Sequence, residues 1–444
     1  MSLILLPLNT TKDAVLVDIH NQPLTIDDST PIEVNVQQPV ATTFPTDGPN
    51  FDAFARLRVS NPETIFDSKQ IHDNQPLFWD DQVISGSGGG STWNQNTAST
   101  VLSVAATTAC NRVRQTFRRF NYQPGKSQLY FVTGTLGNGG SGILQCMGMY
   151  DDNNGLFVQN NAGNLQFVRR SSYTGSVVDT VIDQADWNID KFDGTGTSGI
   201  TLDPTKSQIL FVDFEWLGVG RVRMGWVING IPIYAHQFVH SNLYAGVYMS
   251  TPNVPLRYEI DNDGTGAASE LEHICSTVIS EGGTQDVGIT RYASTNNNDV
   301  QCDVAGDIYA IVGLRLKAAN FDGVVDLINV SMVTDGTNDY EWFLIFNPIV
   351  AGNPVWTNET DSVVQSGHGD YLSGPSDSTI TGGEFITGGF VKGGKEAGSE
   401  TFDLDTQQKL GSTISGTPDE VWLAIMPYTA NNNLHGSLTW KEIS

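Results

Sequence analysis

Apolar and polar residues alternate along much of this chain with a period of two. The runs "QLYFVTGTL" (128–136), "GILQCMGMY" (142–150), "GLFVQN" (155–160), "NLQFVRR" (164–170) and "SVVDTVI" (176–182) follow one another, with Gly, Asn or Asp at nearly every junction. That pattern predicts short strands joined by tight turns. "QILFVDFEW" (208–216), "RVRMGWVI" (221–228) and "IPIYAHQF" (231–238) extend the series, and no useful helical period interrupts it. Antiparallel layers are expected in place of a parallel βαβ sheet.

The glycines of "EWLGVGRVRMGWVINGIPIYAH" (215–236) invite comparison with a phosphate-binding loop. A dinucleotide fingerprint needs its third glycine three residues after the second and a helix opening there. Here Gly225 comes five residues after Gly220, and the residues that follow alternate. Val222, Met224, Trp226 and Ile228 share one strand face, with Arg221, Arg223, Gly225 and Val227 on the other. Asn229-Gly230 supplies a type I′ turn, so the segment reads as three strands in series.

A second strand-rich block contains "IYAIVGLRLK" (308–317), "VVDLINVSMV" (324–333), "YEWFLIFNP" (340–348), "VWLAIMPY" (421–428) and "LTWKEI" (438–443). Its opening, "TQDVGITRYASTNNNDVQ" (284–301), is polar and reads as an interdomain connection or a long loop. The glycine-rich stretch 366–400 also reads as a long loop, of a length that is usually functional, interfacial or disordered. Residues 1–60 hold two short β-like runs among recurrent prolines, with too few apolar residues to fold alone. They are expected to form an extended arm that adds to a partner's sheet edge. The organisation expected is therefore an all-β chain, with an arm over 1–60, an antiparallel sandwich over 61–283 and a second β-sandwich over 284–444. A helix-poor domain with so many strands resembles the concanavalin-type or laminin-G-like jelly roll.

Composition narrows the partners. The formal net charge is −26 although only 16% of residues are charged. Such a surface repels phosphate backbones and anionic lipids, which counts against nucleic acid and membrane partners. The apolar opening "MSLILLPL" is too short, and is cut by Pro7 too early, to be expected as a secretion signal. No stretch approaches the ~20 apolar residues of a membrane span. Cys110, Cys146, Cys275 and Cys302 lack metal-ligand spacing and are expected to be buried apolar residues, with long-range disulfides left open.

Candidate chemistry is sparse. Asp213 and Glu215 share a strand face, as a glycosidase pair would, but no third carboxylate follows; they are expected instead to pair with Arg221 and Arg223 across the sheet. His236 and His240 have metal spacing only on a helix, and this segment reads as strand. Calcium is the one cofactor left as a candidate, through Asp261 and Asp263 in "DNDGTG" and Asp151 and Asp152 in "DDNNG". Trp93 and Trp187, both in polar surroundings, are the candidates for stacking on a sugar ring.

Several blocks, "FDAFARLRVSNPETIFDSKQIHDNQPLFWDD" (51–81), "FNYQPGKSQL" (120–129), "RRSSYTGSVVDT" (169–180), the long run 187–236, "PLRYEI" (255–260) and "ICSTVISEGG" (274–283), occur in one order. Together they resemble a family of virion structural proteins of marine tailed phages, cyanophages among them, over roughly 51–283. The resemblance implies a particle component located in the virion: a fibre, appendage or decoration with no catalytic residues to carry over. Other virion proteins, met through residues 1–60, are then the expected partners, and a homotrimer is the expected assembly. The alternatives are an adhesin for host surface glycan and, third, a polysaccharide depolymerase.

Overall fold

The computed structural model describes residues 60–443 apart from 286, 297, 299, 335–336, 370–376, 394–396 and 402–408. Among these, the sole helical element is a 3-10 turn at Gln184–Asp186. The expected arm lies outside the described residues except for Ser60.

Fifteen strands make the first sandwich. They begin with β1 (Glu63–Lys69), β2 (Trp79–Gly86), β3 (Gly89–Asn94), β4 (Ser99–Val104) and β5 (Cys110–Thr116). Next are β6 (Gln128–Thr135), β7 (Ile143–Tyr150), β8 (Gly155–Asn161), β9 (Asn164–Ser171) and β10 (Val178–Asp183). The last are β11 (Gln208–Phe214), β12 (Val222–Ile228), β13 (Ile231–Phe238), β14 (Leu256–Asn262) and β15 (Ser269–Ser280). One sheet runs β13, β12, β11, β6, β15, β4, β3, with β1 also on β15; the other runs β10, β9, β8, β7, β14, β5, β2. Their pairings are antiparallel, and the chain crosses repeatedly between sheets in the manner of a jelly roll. Tyr130, Val132, Met147, Trp226 and Tyr258 fill the space between them.

The β11–β12–β13 meander forms as the alternation requires. Asn229 and Gly230 both have positive φ, 52° and 80°, which closes the β12–β13 hairpin as a type I′ turn. β15 is divided along one edge: Ser269–His273 pair with β4, and Cys275–Ser280 pair with β1. β6 occupies its other edge.

One end of this core is polar. Arg114, wholly buried on β5, donates from Nε to His273 Nδ1 at 3.1 Å and from Nη2 to Gln70 Oε1 at 3.0 Å, and pairs through Nη1 with Asp81. The Trp79 indole N–H donates to Ser68 Oγ at 2.8 Å, and the ring of His273 stacks on that of Tyr258 at 4.1 Å. A charge placed so deep persists only because each donor meets an acceptor.

The second sandwich begins with β16 (Gly288–Ser294), β17 (Val300–Cys302), β18 (Tyr309–Leu316), β19 (Val324–Thr334), β20 (Tyr340–Phe346), β21 (Ile349–Val350) and β22 (Val355–Asn358). It continues through β23 (Val364–His368), β24 (Ile380–Thr381), β25 (Glu384–Val391), β26 (Ala397–Thr401), β27 (Glu420–Pro427) and β28 (Asn432–Ile443). A five-stranded sheet of β16, β28, β19 and β26, with β17 also on β28, faces a six-stranded sheet β22, β23, β18, β27, β20, β25. Leu314, Trp342, Leu423 and Trp440 lie in the core.

Two sequence expectations need correction here. The polar stretch 284–301 contains strands β16 and β17; β16 is an edge strand whose Ile289 and Tyr292 are exposed, so no buried face disciplines its alternation. The glycine-rich stretch 366–400 contains β24, β25 and β26 and the end of β23. Two of its glycines sit under aromatic rings: a Cβ on Gly367 would meet Trp356 at 2.8 Å, and one on Gly389 would meet Trp342 at 2.8 Å. Strand glycines of this kind mark close ring approach rather than loop.

The two sandwiches belong to one compact unit, Ser60–Ser444. The Ser412 N–H donates to Phe117 O at 3.0 Å, Ile414 N–H to Asp80 Oδ2 at 2.7 Å, and Asn253 Nδ2 to Asp322 O at 3.1 Å. Burial raises the carboxyl of Asp80, and it pushes that of Asp419 at the same junction up to about 6. Gly411 lies so close that a Cβ there would stand 2.1 Å from Phe117 O. Gly411→Val is therefore expected to part the junction: small-angle scattering should give a larger radius of gyration, and protease should cut within 281–287. A scattering curve identical to that of the parent would contradict this account.

Candidate functional site

β15 carries the site because its alternation sets Leu271 and His273 into the core and turns Glu270 and Glu272 outward. The two carboxylates stand on one face, about 7 Å apart along the strand. Val101 and Ser103 of β4 and Thr135 at the end of β6 flank them, and the loop Gly137–Gly140 forms a rim. The result is a cleft of 720 Å³ on the outer face of the first sheet, beside the β6–β7 loop. That size lies within the range of small-molecule sites, roughly 300–1,000 Å³.

Hydrogen bonds fix one carboxylate and leave the other open. Glu272 accepts from Ser99 Oγ at 2.6 Å and from Thr135 Oγ1 at 3.1 Å. Glu270 is exposed. Behind them Gln145, 1% exposed, reaches across from β7 and donates from Nε2 to the Glu270 carbonyl at 2.7 Å. Its Oε1 is buried with no protein partner. Exchanging the amide's two ends gives no relief, since oxygen would then face the Glu270 carbonyl. Under the rim Asn160 repeats the arrangement: Nδ2 donates to Gly137 O at 3.0 Å, while Oδ1 is buried and unpartnered. Gly139 makes that approach feasible, as its Cβ would lie 2.7 Å from Asn160 Oδ1.

None of the residues singled out by sequence enters this cleft. Trp93 pairs in register with Thr100, whose neighbours Val101 and Ser103 point the other way, so it lies on the opposite face of the sheet; its indole donates to Gln70 O at 2.8 Å. Trp187 is corrected outright. It is 2% exposed and stacks on Phe167 at 4.2 Å, leaving no face for a sugar, because its polar neighbours turn outward while the ring packs in.

The calcium candidates are also spent on other work. Asp151 Oδ1 accepts from the Asn153 and Asn154 N–H groups at 2.8 and 2.9 Å, and Asp152 pairs with Arg257 at 2.6 Å. Asp263 Oδ1 accepts from the Thr265 N–H at 2.8 Å and hydroxyl at 2.7 Å, an Asx-turn that lowers its carboxyl. Burial raises the Asp261 carboxyl, the opposite of what a cation ligand wants. Among the described residues no three acidic, His or Cys side chains converge on a metal position.

Arg223 pairs bidentately with Asp213, Nε lying 2.8 Å from Oδ1, and the Tyr234 hydroxyl completes the cluster. Glu215 instead accepts the Arg221 backbone N–H at 3.3 Å. Burial holds His236 down to about 4; His240 is lowered for the same reason and bonds Gly220 O through Nδ1 at 2.5 Å. All four cysteines are free thiols; three are buried and Cys275 is half-buried. No helix among the described residues is long and apolar enough to cross a membrane.

Fold and cleft together define a tandem β-sandwich protein with a jelly-roll first unit and a cleft rich in hydrogen-bond acceptors. No family model matches the sequence, and no curated protein matches it. Similar solved structures include the CBM2 module of the evolved Dit of Lactobacillus casei BL23 phage J-1, at 6% identity and TM-score 0.34, covering 51% of this chain and 100% of that one. A Bacteroides ovatus GH16 protein of a mixed-linkage glucan PUL, in complex with a G4G4G3G product, gives 8% and 0.32 over 48% and 99%. A legume lectin-like domain from Entamoeba histolytica gives 8% and 0.29 over 49% and 98%. At these identities no residue role passes from them to this chain.

Proposed function

We propose that the protein is a non-enzymatic structural component of a tailed-phage virion, a fibre, appendage or decoration, which presents its sandwiches as one stiff body. The junction carries this reading. Backbone of one sandwich bonds backbone of the other at Phe117 and Ser412, and Asp80 anchors Ile414, a coupling suited to a scaffold. The blocks that carry the phage resemblance supply framework residues: Trp79, Asp81, Asp213, Arg223, Trp226 and Tyr258 all serve core or strand pairing. In this reading residues 1–60 engage other virion proteins and the assembly is a homotrimer.

A host-glycan adhesin is the second reading, favoured by the acceptor-rich cleft. A depolymerase has less support, since Asp213 is bound by Arg223 and Tyr234, and Glu270 and Glu272 stand on one wall rather than on opposite sides of a bond to be cut. Removing residues 1–50 is expected to leave a folded protein that no longer enters particles, as read by quantitative mass spectrometry of purified virions. Incorporation at the parental level would defeat the anchoring role, and absence of the full-length chain from particles would defeat the virion reading itself.

A further inference from the structure

We propose that the cleft between β4, β15 and the Gly137–Gly140 rim is a binding site for a neutral, hydroxyl-rich saccharide. Its polar lining is dominated by acceptors. Glu270 and Glu272 offer carboxylate oxygens, and Gln145 offers a buried amide oxygen that the protein leaves unpaired. All three are acceptors, so the complementary ligand is a donor.

Buried acceptors without partners are uncommon and costly, and a ligand or water must supply the missing hydrogen. Adjacent hydroxyls on a sugar ring can donate as a pair to one carboxylate while a third meets Gln145 Oε1. Ser103 adds a hydroxyl able to accept or donate, and Thr135, whose hydrogen goes to Glu272, can still accept. Anionic ligands are disfavoured by both carboxylates and by the net charge of −26. The cleft has no aromatic lining, so recognition rests on hydrogen bonds; affinity for one short oligosaccharide is expected to be about millimolar, with tighter attachment through several copies.

The inference goes beyond the virion reading and stands or falls separately from it, because it concerns the isolated protein. Saturation-transfer NMR and titration of the full chain with maltotetraose, cellotetraose, mannotetraose and galactotetraose should reveal binding to at least one. Glu272→Gln and Gln145→Leu should each weaken it about tenfold or more. Asp179→Asn, on the other sheet, should leave it unchanged. The thermal melt of the Glu270→Gln variant should match the parent, since that side chain is exposed, and Glu272→Gln, which weakens the bonds from Ser99 and Thr135, should melt slightly lower yet stay folded; if Gln145→Leu fails to fold, these two carry the test. Binding to none of the four sugars would overturn the proposal, as would binding indifferent to Glu270→Gln and Glu272→Gln. Equal or tighter binding of spermidine or of a sulfated tetrasaccharide at this cleft would also overturn it, marking a cation or anion site.

Discussion

Asp81→Ala is expected to remove about 3–5 kcal/mol of stability, because it strands a buried cation. The Arg114 side chain is 0% exposed and that of Asp81 only 15%. Burial draws the guanidinium below its ordinary pKa, and Asp81 is the first force opposing that drift. Gln70 and His273 are neutral acceptors and cannot balance a charge. Arg114→Met should cost less, since Asp81 keeps Ser91 Oγ at 2.8 Å and Arg112 at 3.5 Å and stands nearer to water. Urea midpoints at constant m-value measure both. A Met variant less stable than the Ala variant would refute the buried-charge account.

The same network sets an acid limit. His273 accepts Arg114 Nε–H on Nδ1, so its proton sits on Nε2, toward Ser276 Oγ at 3.2 Å. Burial holds its folded pKa well below 6.5, and Arg114 adds to that. A base whose folded value is depressed contributes its full stability above the unfolded value and loses it as pH falls below about 6.5. Asp419 acts in the opposite sense between about 6 and its unfolded value near 3.8, gaining stability on protonation.

Trp226→Ala is the second large loss expected, about 3–5 kcal/mol. The ring is 0% exposed at the centre of the first core, beside Phe167 at 6.3 Å. Its indole N–H is buried without an acceptor, so phenylalanine sheds a polar group that earns nothing here. Trp226→Phe should accordingly cost under about 1.5 kcal/mol, despite the lost volume. Equal midpoints for the Phe and Ala variants would contradict this account, since the smaller cavity and the shed indole N–H both favour Phe.

Legibility in the sequence followed the physics of each segment. β11 to β13 could be read because one face is buried and the turn chemistry of Asn229-Gly230 is local. The Asp213–Arg223 pair followed from strand parity alone. Trp187 misled because polar neighbours in an aperiodic segment do not reveal which way a ring turns. β25 was hidden because glycine beneath an aromatic ring looks, in sequence, like glycine in a loop. The cleft was missed for another reason: "SELEH" does alternate and set two acids on one face, but Gln145 arrives from the opposite sheet and the rim from the β6–β7 loop, and only the packing of the two sheets joins them.

The divided edge of β15 has a mechanical consequence. Glu63, at the start of β1, pairs with Ser280, at the end of β15, and its carboxylate also accepts the Thr284 N–H at 2.6 Å. Once the junction bonds at Phe117, Asp80 and Asn253 have parted, tension applied between Ser60 and the second sandwich enters and leaves the first sandwich at neighbouring rungs. Those rungs peel one at a time instead of shearing together, and the two sheets behind them stay slack until the β1–β15 ladder has opened.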